Sequence, residues 1–124
     1  MPQRIIVPVA DQTGLEARLA EHFGRAPYFA VIDLNDALEI VQTQMVENVG
    51  AHTGGIKQAH DNIVKLQPKA IIVYGMGRHG LQAFNDAGIT VLKANADTLS
   101  QVISGYKKQT LEELTEGCPH AHRE

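Results

Sequence analysis

The run from Lys69 to Leu81, Lys-Ala-Ile-Ile-Val-Tyr-Gly-Met-Gly-Arg-His-Gly-Leu, constrains the fold more than any other stretch. Ala70 to Tyr74 offers no polar position to turn toward water, so a strand here must be covered on both faces, as parallel strands in α/β proteins are. It belongs at the centre of a sheet. The glycine-rich turn behind it opens into a helix, and a ligand is expected where that strand ends. Gly75 and Gly77 are expected to permit positive φ or close approach of a ligand, and the N–H groups opening the helix suit an anion.

Gly75, Gly77 and Gly80 also spell G-x-G-x-x-G. A dinucleotide fingerprint needs an acid after the following strand to hold the ribose, but Ile89 to Leu92 runs into Lys93, Ala94 and Asn95. Too few residues follow for the remaining units of such a fold. The glycines are read as a tight strand-to-helix turn.

Around this centre the pattern gives β-β-β-α-β-α-β-α. Arg4 to Val9 is the first strand, with Pro8 expected at its end or at a bulge because proline cannot donate to a ladder. Asp11 to Pro27 is a long connection in which Leu15, Leu19 and Phe23 fall at helical spacing, enough for one short helix. Tyr28 to Leu34 and Leu38 to Val46 form a hairpin across Asn35-Asp36-Ala37. Ile56, Ala59, Ile63 and Leu66 line one face of a helix that stops before Pro68. Leu81, Phe84 and Ala87 mark a second helix closed by Gly88, and Ile89 to Leu92 is the last strand. Leu99, Val102, Ile103 and Tyr106 give the chain its most regular amphipathic helix, and Thr110-Leu-Glu-Glu113 reads as a capping box for a final helical turn. Three meandering strands and two right-handed crossovers then place the first strand in the middle. The expectation is a three-layer α/β/α fold on a mixed five-stranded sheet, order 3-2-1-4-5, with strand 2 antiparallel.

The chain has 124 residues, enough for one core. Residues 1–116 are expected to form the single domain, and 117–124 a mobile Cys/His tail. A formal net charge of −3 without a basic block argues against a nucleic-acid footprint. The apolar run near the N-terminus is too short for a signal core or a membrane span, so a cytoplasmic protein is expected. Cys118 is the only cysteine, which excludes an internal disulfide.

Strands 1, 3, 4 and 5 point one way, so their following loops share an edge, with a switch point between strands 1 and 4. The loop after strand 1 carries His22 and Arg25. The loop after strand 3 carries His52 and the helix start Gly54-Gly55, and the loop after strand 4 carries Gly75, Gly77, Arg78 and His79. Imidazoles, arginines and helix N-termini together suit an anionic ligand that offers metal or sulfide. Each residue has an ordinary alternative, a solvated arginine or a histidine that bridges backbone groups. His60 lies mid-helix and is read as structural or exposed. Cys118, His120 and His122 alternate, so an extended backbone would turn all three to one side for zinc, copper or nickel; a plain disordered tail is the alternative.

The stretch Glu21-His-Phe-Gly-Arg-Ala-Pro-Tyr-Phe29 carries a resemblance, supported by Gly54-Gly-Ile56, Gly75-Met-Gly77, Leu81-Gln-Ala-Phe84 and Ala87-Gly-Ile-Thr-Val91 in the same order. The chain resembles the dinitrogenase iron-molybdenum cofactor biosynthesis family, the NifX and NafY type cofactor-binding proteins and their stand-alone relatives, over nearly its whole length. The resemblance implies a ribonuclease H-like fold and binding of a metal-sulfur cluster, with His22 as a candidate metal ligand. Nitrogen-fixing members of this family look like carriers of the iron-molybdenum cofactor or its precursor, and orange proteins of sulfate reducers hold a molybdenum-copper sulfide cluster. A cluster donor or acceptor protein would be the partner.

An enzyme would need a reactive constellation, and the sequence presents none. Ser100 and Ser104 have no base placed by sequence, and the central strands lack the acids a nuclease on this fold would use. The expected function is therefore non-enzymatic binding or carriage of a cluster. The alternative is a regulatory or assembly module that binds a protein partner without a cluster of its own.

Overall fold

A computed structural model describes residues 3–21, 23, 26–48 and 62–114, with the side chain of His79 outside the described set. The central strand is β4 (Ala70–Val73), and all four of its residues are buried. It lies between β1 (Gln3–Val9) and β5 (Thr90–Lys93), parallel to both. β2 (Tyr28–Leu34) runs antiparallel to β1, and β3 (Ile40–Glu47) antiparallel to β2. The expected order is observed and continues by one strand, β6 (Glu112–Glu113), which gives a six-stranded sheet ordered β3-β2-β1-β4-β5-β6.

Alternation along the strands sends side chains into two separate cores. Ile6, Phe29, Val31, Ile71, Val73 and Val91 meet Ile63 and the helix α1 (Arg78–Asp86) through Leu81 and Phe84. Ile5, Val7, Ala30, Ile32 and Ile72 meet the helix α2 (Leu99–Lys108) through Leu99, Val102 and Ile103. Helices therefore cover both faces. No helix among the described residues is long and apolar enough to cross a membrane.

Pro8 sits inside β1 at no cost to the ladder. Its carbonyl accepts from Ala20 N–H at 3.0 Å, on the side away from β2, and β1 pairs with β4 only at Ile5 and Ile6. The missing N–H therefore faces away from β2, and the β1–β2 ladder loses no bond.

Three local expectations are corrected. The hairpin turn runs to Glu39, because Asn35 Oδ1 accepts from the N–H groups of Ala37 and Glu39, both at 2.9 Å, and Leu38 takes φ 63°. β3 therefore starts at Ile40 rather than Leu38. The expected helix at Thr110 to Glu113 is instead β6: Gln109 ends α2 in the left-handed region, and Thr110 gives both N–H and hydroxyl to Gly105 O. Leu111 then packs into the core under α2 and Leu114 into the opposite one, a separation that three residues achieve in a strand but not in a helix. Finally, residues 12–20 contain no helix. Leu15 is 39% exposed, and Arg18 and Leu19 form bridges with Thr98 and Val9.

Candidate functional site

The strand directions bring the C-terminal ends of β1, β3, β4 and β5 to one edge. The loop leaving β1 is fixed there in two parts. Asp11 Oδ1 accepts the Thr13 hydroxyl and N–H at 2.6 and 3.0 Å, and these bonds hold its carboxyl below the usual carboxylate range. Residues 17–20 then lie extended between β1 and the start of α2: Ala10 N–H donates to Arg18 O, and Leu19 N–H to Asp97 O.

The second part is the aromatic-centred stretch. Phe23 is 5% exposed and wedges between Phe29 and Phe84, with ring centroids at 5.0 and 5.4 Å. Ala26 is fully buried beside it. The pair anchors the returning loop on the α1 face of the sheet. Asn48, just past the end of β3, ties this loop to the next, its Nδ2 donating to Ala26 O at 2.8 Å and its N–H to Pro27 O at 3.0 Å.

The two described helix starts differ. The N–H groups of Leu99 and Ser100 at the head of α2 donate to Ala17 O and Leu15 O, both at 2.9 Å. That end is closed by the chain itself. α1 starts at Gly77 with no capping side chain and no acid in its first turn, and Arg78 is exposed there. The positive end of its dipole and its first amides face the loop edge.

Gly75, Gly77, Arg78 and the backbone of His79 are thus placed together at the head of α1. His22, Arg25, His52, Gly54, Gly55, His60, Cys118, His120 and His122 lie outside the described residues. The expectation of positive φ in the turn is corrected. Gly14 and Gly88 are the described glycines with positive φ, whereas Gly77 has φ −65° and ψ 160°, and a Cβ there would meet nothing within 4 Å. At Gly77, then, neither the backbone angles nor a close protein contact requires glycine.

Sequence reading missed two features of this edge. Tyr74, counted as part of the apolar run, donates from its hydroxyl to Asp97 at 2.8 Å. Burial first, then that bond, pushes its pKa up to about 12 from 10.0. A phenol raised in the folded state contributes stability that is complete below pH 10.0 and lost as the pH rises toward about 12. Phenolate absorbance is expected to show a late step that Tyr74→Phe removes; an unchanged titration would contradict the hydrogen bond to Asp97. The other missed residue is Asn48, a polar side chain at a strand end with no motif around it.

An open cavity of about 520 Å³ lies at the opposite edge, beside Arg4, Asp33 and Leu66. Its arginine is already committed, to Asp33 at 2.8 and 3.3 Å and to Leu66 O at 3.1 Å. Among the described residues, the helix start without a capping side chain lies at the loop edge rather than beside this cavity.

Comparison with known proteins agrees with this architecture. A family model described as dinitrogenase iron-molybdenum cofactor matches residues 3–109. The uncharacterized protein MJ0580 of Methanocaldococcus jannaschii is 31% identical over 100 residues, covering 78% of this chain and 83% of its own. The NMR structure of a Thermotoga protein described as a candidate NifB protein of the DUF35 family superposes with TM-score 0.76 at 25% identity, covering 94% of this chain and 97% of that one. The apo form of the orange protein from Desulfovibrio gigas shares the fold, with TM-score 0.74 at 24% identity over 92% of this chain and 94% of its own.

Proposed function

The chain belongs to the dinitrogenase iron-molybdenum cofactor family, and from that membership we propose that it is a non-enzymatic binder and carrier of an anionic metal-sulfur cluster. The cluster is of the iron-molybdenum or molybdenum-copper type and is taken up at the loop edge. One contrast carries this reading: the head of α2 is closed by backbone carbonyls, while the head of α1 has, among the described residues, no capping side chain and no acid in its first turn, and it begins with Arg78. An anion coated in sulfide finds N–H donors and the positive end of a dipole there.

In this reading His22, with His52 and His79, supplies imidazole nitrogen to metal, a ligand suited to iron and copper. Arg25 and Arg78 offset the cluster's charge. Gly54, Gly55, Gly75 and Gly77 let the cluster approach the backbone. A carried cluster must be loaded and unloaded, so a donor or acceptor protein is the proposed partner.

Gly77→Ala tests the site with little disturbance of the fold. Its backbone angles suit alanine and the space is open, so stability should change by no more than about 0.5 kcal/mol, the helix-cap penalty opposing the gain from a stiffer unfolded chain. Titration with tetrathiomolybdate should show weakened binding relative to the parent. Unchanged affinity would remove the turn from the site.

Cys118, His120 and His122 are proposed as a separate segment for zinc, copper or nickel. Truncation after Gly117 should leave the thermal midpoint where it was and abolish that binding. Undiminished uptake of zinc or copper by the truncated chain would place the metal elsewhere.

A further inference from the structure

We propose that Asn48 is a positioning residue: it fastens the loop leaving β1 to the loop leaving β3, so that both present their residues to one ligand. For its ligand the inference rests on the cluster-binding reading; the fastening itself does not.

Asn48 is 2% exposed and is the buried polar residue among those described. The β2–β3 ladder ends at Tyr28 opposite Glu47. The bond from Asn48 N–H to Pro27 O, at 3.0 Å, extends it by one step. The carboxamide adds a further link, its Nδ2 donating to Ala26 O at 2.8 Å. Ala26 is fully buried, so its carbonyl needs a protein donor. An apolar side chain could fill the position but would strip that carbonyl of this donor.

The location gives the bond its consequence. Arg25 directly precedes Ala26, and the segment carrying His52, Gly54 and Gly55 begins directly after Asn48. One side chain therefore joins the root of one ligand-bearing loop to the root of the other. Phe23 holds the first loop down on the core through Phe29 and Phe84. A residue that couples two loops should affect both when removed, whereas one that merely fills space should affect stability alone.

Hydrogen exchange on the unliganded full chain, read together with tetrathiomolybdate titration, tests this. Asn48→Ala should speed exchange about tenfold in peptides covering 20–27 and 49–61 together, leave peptides covering α2 unchanged, and weaken binding about tenfold. Asn48→Asp, which keeps the size but turns an acceptor toward Ala26 O, should behave alike. Ile103→Val, a small core loss on the opposite face, should leave both loops and the affinity as they were. Exchange that rises evenly along the chain, or in one loop only, overturns the coupling. Faster loops with undiminished affinity overturn the positioning role. Failure of the parent chain to take up tetrathiomolybdate would instead count against the cluster-binding reading, with the exchange pattern still deciding the coupling.

Discussion

Phe23→Ala is expected to destabilise the fold by about 3–5 kcal/mol, the usual cost of truncating a buried aromatic ring. The ring is 5% exposed and meets Phe29 and Phe84 at 5.0 and 5.4 Å, so its loss opens a cavity where the returning loop, the sheet and α1 meet. Denaturant unfolding should show the loss as a lower midpoint with little change in slope. Phe23→Leu keeps most of the apolar contact and should cost much less. If alanine at this position cost under about 1 kcal/mol, the ring would not be the wedge that holds the signature loop on the core.

The second large effect concerns His22. If it supplies nitrogen to a bound metal, His22→Ala should weaken thiomolybdate or cofactor-extract binding by at least the 10- to 100-fold, roughly, that loss of a partner around a metal costs. His60→Ala serves as the control, because His60 is far in sequence from the loop leaving β1. It should leave binding unchanged. Equal losses at the two positions, or loss at His60 alone, would refute the assignment of His22.

The sheet was legible because periodicity alone separates its parts. A run without polar positions, Ala70 to Val73, is the buried parallel strand, and Leu99, Val102 and Ile103 at helical spacing are the face α2 buries. What escaped depends on partners distant in sequence. Thr110 carries a good capping-box signal, but Gly105 O takes its N–H and hydroxyl, and the open edge of β5 takes Glu112 and Glu113. Leu15, Leu19 and Phe23 have helical spacing, yet 17–20 is pulled straight by bonds to Pro8 and Asp97. Gly77 shows a different limit. A glycine that needs positive φ and one that does not look the same in sequence, and only the angles tell them apart. Of the site itself, sequence supplied the loop edge and its residue types; the closed head of α2 and the Asn48 bridge are tertiary facts.

A chain that holds a metal-sulfur cluster should bring the metal and sulfide with it from the cell. Purifying it anaerobically from its native host and measuring molybdenum, iron, copper and sulfide per chain tests that most directly. A coloured protein with stoichiometric metal and sulfide is expected, with loss of both in the His22→Ala chain. A colourless, metal-free protein recovered in a stable complex with another protein would contradict it and favour the assembly-module alternative.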